Sequence, residues 1–335
     1  MPLIDVHCHV SPFDFPAAPG GEVAHRWPCM KCGSKAAGTL MIGDKPFREL
    51  DNRSWDVSRR LEDMDRDGVA IQVLSPMPEL LSYWYDVKDA LLICDAVNAQ
   101  ISGMIKQHPT RFRGLGAVPL QDPLAAARYL RRVREDYGLS GVEIGSNING
   151  IMLGDPSFEG FFAEAEALGM CVFVHALHPI AAKAAAVPPA DTAFVYFPID
   201  VAMAAASVAM AGLLDRFPRL RIAFSHGGGA LGSLVGRMDT GWNATGGYGG
   251  RMAEAPSAVI GKMFFDSNVL SADYLCYLVR QVAPGKVFAG TDYPYLIQQQ
   301  DPDSFISNLP LSADEIQSLK WRAAEDFLNE RFAGF

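Results

Sequence analysis

The sequence predicts a single (β/α)8 barrel with a small insertion after its first strand. Three observations carry that expectation. Eight short apolar runs alternate with amphipathic helical stretches, which implies parallel βαβ units. The 335 residues suit one barrel, which takes about 250 residues plus insertions. Histidine and aspartate residues close several of the runs at one end, the end where barrel enzymes keep their chemistry.

In order, the runs are Leu3–Val6, Val69–Leu74, Gly114–Val118, Gly141–Ile144, Cys171–Val174, Leu220–Phe224, Met263–Phe265 and Val287–Ala289. Each is apolar on both faces, as a strand between a barrel core and a helix layer must be. Helix starts are written between them. Asp122-Pro123 and Asp155-Pro156 set an N-cap acceptor before a proline that needs no N–H partner at the first helical position. Ser312 and Glu315 form a capping-box pattern. Gly68, Gly138 and Gly169 end helical stretches just before the next strand. Residues 11 to about 52 break the alternation. Rich in Pro and Gly, with weak alternation over Thr39–Phe47, they read as an inserted loop or small sheet at the catalytic end. The whole chain, 1–335, reads as one domain.

Composition narrows the function. With 49% apolar and 20% charged residues the chain can bury one large core. The net charge of −9 argues against nucleic acid or an anionic membrane as a partner. No uninterrupted apolar stretch of about 18 residues occurs, so no membrane span is expected. The first residues enter a strand with no basic region ahead of an apolar one, so no signal peptide is expected. The six cysteines are sparse, and Cys8, Cys94 and Cys171 lie inside apolar runs. That usage fits reduced thiols in the cytoplasm. Cys29 and Cys32 have Cys-x-x-Cys spacing but lack the second ligand pair of a structural zinc site, and read as two loop thiols.

The chemistry lies at the strand ends. His7 and His9 stand at i and i+2, so both imidazoles face one side of the first strand. His175 ends the fifth run, His226 the sixth, and Asp292 the eighth. His7, His9, His175 and Asp292 make a donor set for one divalent ion, zinc first, with manganese, cobalt or iron(II) also accepted. The fourth run, Gly141-Val142-Glu143-Ile144-Gly145, has no lysine to bridge a second ion, although Glu143 could contribute a ligand. His226, before three glycines, is assigned as an acid/base group; a fifth ligand is the alternative. His178 reads as a loop residue beside the site, and His25 and His108 as surface residues.

These residues belong to longer motifs. They are Asp5-Val6-His7-Cys8-His9, Phe47-Arg48, Trp55-Asp56 followed by Glu62-Asp63-Met64-Asp65, Ser82-Tyr83-Trp84, Phe173-Val174-His175, His226-Gly227-Gly228-Gly229-Ala230-Leu231 with Gly236-Arg237, and Gly290-Thr291-Asp292-Tyr293-Pro294. In them the sequence resembles the aminocarboxymuconate-semialdehyde decarboxylase family of the amidohydrolase superfamily, over nearly its whole length. The resemblance implies non-oxidative decarboxylation of an unsaturated or aromatic carboxylic acid at one metal ion, with Arg48 and Arg237 binding substrate carboxylates. Hydrolysis of an ester, lactone or amide at the same metal is the alternative. Two segments depart from the family pattern. Ala176-Leu177-His178 stands where Pro-Trp-Asp is usual, and Tyr295-Leu296-Ile297-Gln298 where Phe-Pro-Leu-Gly-Glu is usual. A related substrate is therefore expected.

Arg237 adds an expectation about assembly. It lies two turns into the helix after the sixth strand, roughly 10 Å below the barrel mouth on the outer surface. The resemblance puts an arginine at this position in a neighbouring subunit's active site. A homodimer in which each chain lends Arg237 to the other satisfies both.

Overall fold

The computed structural model describes residues 2–185, 187, 188 and 191–332. Strand β1 (Leu3–Val10) is followed by β2 (Pro28–Ser34), β3 (Ala37–Ile42) and β4 (Lys45–Asp51). Next come β5 (Val69–Pro76), β6 (Phe112–Gly116) and β7 (Gly141–Gly145). A short hairpin, β8 (Asn147–Ile148) and β9 (Ile151–Met152), precedes β10 (Cys171–His175). The last strands are β11 (Ile222–Phe224), β12 (Phe264–Asp266) and β13 (Val287–Phe288).

The main sheet runs β1-β5-β6-β7-β10-β11-β12-β13, with every pairing parallel. It curls into a nearly closed (β/α)8 barrel. The Val6 amide donates to the Ala289 carbonyl at 2.9 Å, and Cys8 bridges Tyr293 in parallel, which joins the first strand to the chain beyond the last. All eight expected runs are strands, with shifted ends. The third starts two residues early at Phe112 and leaves the sheet after Gly116, and the sixth starts at Ile222.

The helix signals act as caps. Asp122 accepts the Ala125 amide at 2.9 Å and starts the helix Pro123–Glu135. Asp155 caps a short 3-10 turn that leads into Glu159–Ala167. Ser312 and Glu315 form a full capping box. Between β1 and the helix Val57–Arg66, strands β2, β3 and β4 build a three-stranded antiparallel sheet.

Two apolar layers form the core. Inward side chains, among them Ile4, Val6, Ile71, Val73, Leu115, Phe173 and Phe288, fill the barrel. Outward ones, including Leu3, Cys8 and Val10, pack under the helices. The helix Ala323–Leu328 closes the floor, with the Phe327 ring 5.4 Å from Phe264 and 5.1 Å from Phe288. Burying each such ring contributes about 2–3 kcal/mol.

One irregularity in β1 decides what the barrel presents at its mouth. Asp5 pairs with Gln72 but Cys8 with Leu74, so β1 carries one residue more than β5 over that interval. Such a bulge shifts the alternation by one. Ile4 and Val6 face the core below it, and His7 and His9 take over the inward face above it.

Among the described residues one helix, Thr192–Met210, is long and apolar enough by length and composition to cross a membrane. Its buried Asp200 bonds to Ser146, to Asn147 at 2.9 Å and to the Ile180 amide at 3.0 Å, which ties the helix to the barrel loops.

Candidate metal centre

His7, His9, His175 and Asp292 converge inside the mouth, all buried, with one donor atom from each within 4.8 Å of the others. His7 and His9 arrive on β1 above the bulge, and His175 on the last residue of β10. Asp292 does not end a strand. It lies four residues past β13 with φ at +67°, a backbone that leaves the ladder and turns the carboxylate inward. Its amide donates to the His7 carbonyl at 2.8 Å. Asp292 Oδ1 stands 3.3 Å from His7 Nε2, 3.1 Å from His9 Nε2 and 3.9 Å from His175 Nε2.

The second nitrogen of each imidazole is committed elsewhere. His7 Nδ1 meets Asp266 Oδ2 at 2.5 Å, His9 Nδ1 the Pro76 carbonyl at 2.9 Å, and His175 Nδ1 the Ala176 carbonyl at 2.9 Å. This fixes the tautomers and turns every Nε2 toward a common centre, as metal-ligating histidines require. Buried His175 Nε2 has no hydrogen-bond partner among the described residues. An unpaired buried nitrogen costs free energy that a cation at the centre removes. The donor set fits a divalent ion.

Electrostatics agree. Burial disfavours a charged His7, but Asp292 and Asp266 reverse that and push its pKa well above the usual imidazole value. Burial would raise the Asp292 carboxyl, yet the imidazoles of His7, His226 and His9 hold it well below the carboxylate range. Burial and the neighbouring imidazoles keep His175 neutral, with its pKa well below the usual value. A centre with this attraction for positive charge draws a proton or a metal.

His226 also lies past its strand. It opens a short helical turn, His226–Gly228, with φ at +54°. Its Nε2 is 3.6 Å from Asp292 Oδ2 and its Nδ1 3.0 Å from Ser225 Oγ. At 13% side-chain exposure it is the imidazole of the group that faces the opening. Glu143 points inward from β7, with Oε2 3.6 Å from His9 Nδ1 but outside the donor cluster. Burial pushes its carboxyl well above the ordinary range.

Arg48, on β4, comes to the centre. Its guanidinium carbon lies 4.6 Å from the Tyr295 ring centroid, and that ring stacks on His9 at 5.1 Å. Arg237 does not. It is exposed on the outer helix Leu231–Ala244 and makes no hydrogen bond or ion pair among the described residues. His178 stacks on Trp84 at 4.9 Å, with Nε2 3.0 Å from Glu79. His25 is exposed and His108 caps a helix end. Cys29 and Cys32 are exposed free thiols on β2. Three residues apart on a strand, they point to opposite faces.

Two buried carboxylates beside the centre, Asp5 and Asp266, carry no role in the sequence analysis. Asp5 accepts the Thr291 amide at 3.0 Å, Thr291 Oγ1 at 2.7 Å, Gln72 Nε2 at 3.3 Å and the His7 amide at 3.3 Å. Burial pushes its pKa up to about 6, against the pull of Thr291 and His7. Asp266 ends β12. The signal for it was present, since it directly follows the seventh apolar run as His175 follows the fifth.

The amidohydrolase family profile matches residues 4–329. The chain is 33% identical to the 2-amino-3-carboxymuconate-6-semialdehyde decarboxylase of Dictyostelium discoideum, over 91% of this chain and 85% of that protein. The crystal structure of 5-carboxyvanillate decarboxylase from Sphingomonas paucimobilis superposes with a TM-score of 0.83 at 26% identity, covering 98% of this chain and 99% of that one. A dihydroxybenzoic acid decarboxylase from Polaromonas, solved with manganese and 2-nitroresorcinol, has the same fold, with a TM-score of 0.71 at 21% identity over 83% of this chain and 87% of that one.

Proposed function

From the premise that this chain belongs to the amidohydrolase family and is a metal-dependent non-oxidative decarboxylase, we propose that its substrate is an unsaturated or aromatic acid of the aminocarboxymuconate-semialdehyde type. The observation that carries this reading is the buried cluster of three imidazoles and one carboxylate with His226 at its open side. His7, His9, His175 and Asp292 are the proposed ligands of one ion per chain. Zinc is the first choice, and manganese, cobalt or iron(II) suit the same donors. When bound, the ion supplies a Lewis acid for charge that develops on the substrate.

The remaining work falls to the protein's own groups. Arg48, stacked over Tyr295, holds a substrate carboxylate by charge-assisted hydrogen bonds. The bond from carbon to the departing carboxylate breaks and its electron pair stays on carbon. His226 delivers from Nε2 the proton that this carbon takes up, and Asp292, 3.6 Å away, stabilises the imidazolium beforehand. Hydrolysis at the same donors is the lesser reading, because the named relatives are decarboxylases.

Arg237 is proposed to act across a homodimer interface. The helix Thr192–Met210 supports this, since much of its apolar surface is not buried and Phe194, Val195 and Met203 are exposed. Leu234, beside Arg237, is exposed as well. Six free thiols support a reducing compartment, proposed as the cytoplasm.

The test is to incubate metal-loaded protein with a panel of aromatic and muconate-type acids and score CO2 release against ester, lactone or amide hydrolysis. CO2 release dependent on about one equivalent of metal supports the reading. Hydrolysis without CO2 release overturns it.

A further inference from the structure

We infer that Asp266 is a positioning residue that locks the metal ligand His7 and the acid/base group His226 into one unit. The inference rests on the assignment of His7 as a ligand. Asp266 ends β12 and is fully buried. Its Oδ2 accepts from His7 Nδ1 at 2.5 Å and from the His226 amide at 3.0 Å. Its Oδ1 accepts from the Gly227 amide at 2.8 Å and the Asn268 amide at 3.1 Å. An ionised carboxylate offers about four acceptor sites, and all four are used.

The four donors come from places with different tasks. His7 Nδ1 sets the ring that would hold metal. The His226 and Gly227 amides set a turn whose residues both have positive φ, +54° and +61°. A histidine at that φ is uncommon and persists only where its surroundings fix it. Asp266 supplies that fixation from the same oxygen that orients His7. Movement of the carboxylate therefore moves the ligand ring and the proton donor together. Asp5 braces the His7 and Thr291 backbones but touches neither the His7 ring nor His226. Glu143 lies 3.6 Å from His9 Nδ1 and, among the described residues, makes no hydrogen bond to His7 or His226.

Asp266→Asn keeps the shape but turns one oxygen into an NH2 group, so two donors lose their acceptor and face another donor. The experiment compares wild type and Asp266→Asn by titration of the chelator-stripped proteins with Zn²⁺ or Mn²⁺. It then measures kcat and KM at saturating metal, with melting temperatures of the metal-free proteins as the control for folding. The expected result is metal affinity about 10- to 100-fold weaker, kcat at saturating metal down at least about 10-fold, and KM within a few-fold. Unchanged affinity overturns the inference, and so does full recovery of kcat at saturating metal. If wild type itself binds no divalent metal, the ligand assignment fails instead. Should Asp266→Asn fail to fold, Asp266→Glu carries the same comparison, because it keeps the charge while displacing the oxygens by one methylene.

Discussion

At the scale of single residues, the buried carboxyls set the pH behaviour. Asp5 is held at a pKa of about 6 against a usual 3.8. A raised carboxyl means that the folded state keeps its proton to higher pH than the unfolded state does. Its contribution is therefore most favourable below about pH 4 and is lost as pH rises through 6. Asp5→Asn has no proton to lose. Relative to wild type, the metal-free variant should gain on the order of 3 kcal/mol between pH 4 and pH 7, given 1.36 kcal/mol per unit of pKa. Urea unfolding at the two pH values measures the change, and a constant difference between variants would contradict it. His226 sits beside the ligand cluster, so His226→Ala should retain about one equivalent of metal by elemental analysis while turnover falls on the order of 10²-fold or more. Recovery of the variant metal-free would make His226 a ligand. These roles were unequally legible in the sequence. A histidine closing an apolar run announces itself. Asp5 interrupts a run instead, and the Thr291 amide that it holds is reached only when the two ends of the barrel meet.

At the scale of elements, the eight strands were readable because burial on both faces leaves continuous apolar runs. The bulge in β1 was not, since an extra residue leaves no mark in Asp5-Val6-His7-Cys8-His9. Only the register against β5 reveals it. The sheet of the insertion was half legible. Thr39–Phe47 alternates, whereas β2 is mostly exposed and owes its strand to pairing with β3. The helix Val57–Arg66 carries the brace for this region. Its fully buried Arg60 donates to the His9 carbonyl, to the Arg53 carbonyl at 2.9 Å and to Gln72 Oε1 at 2.9 Å, and lies 4.7 Å from the Tyr293 ring centroid. Arg60→Met keeps the volume and strands these acceptors. It should cost about 3 kcal/mol or more, since hydrogen bonds to charged groups are each worth about 1.5–3 kcal/mol. A thermal or urea melt within about 1 kcal/mol of wild type would show that the acceptors find other partners.

At the scale of the whole molecule, the centre is built within one chain except for the proposed loan of Arg237. If two chains share sites, an Arg237→Ala variant and a His175→Ala variant, each inactive alone, should recover partial activity when mixed, because one of the two sites in a mixed dimer is intact. Subunit exchange demonstrated by labelled chains with no recovery would remove the shared-site model. The barrel seam has a further consequence, one of timing. His7 and His9 stand near the start of the chain and Asp292 near its end, and the two regions meet along the seam where Val6 pairs with Ala289 and Cys8 with Tyr293. At roughly 5–20 residues per second of translation, about 15 to 60 s separate the emergence of the first proposed ligands from that of the last. Throughout that interval the nascent sheet has an open edge and an incomplete donor set. A complete set of the four proposed ligands thus exists only once Asp292 has emerged, and a ribosome that stalls before it releases a chain that lacks one of them.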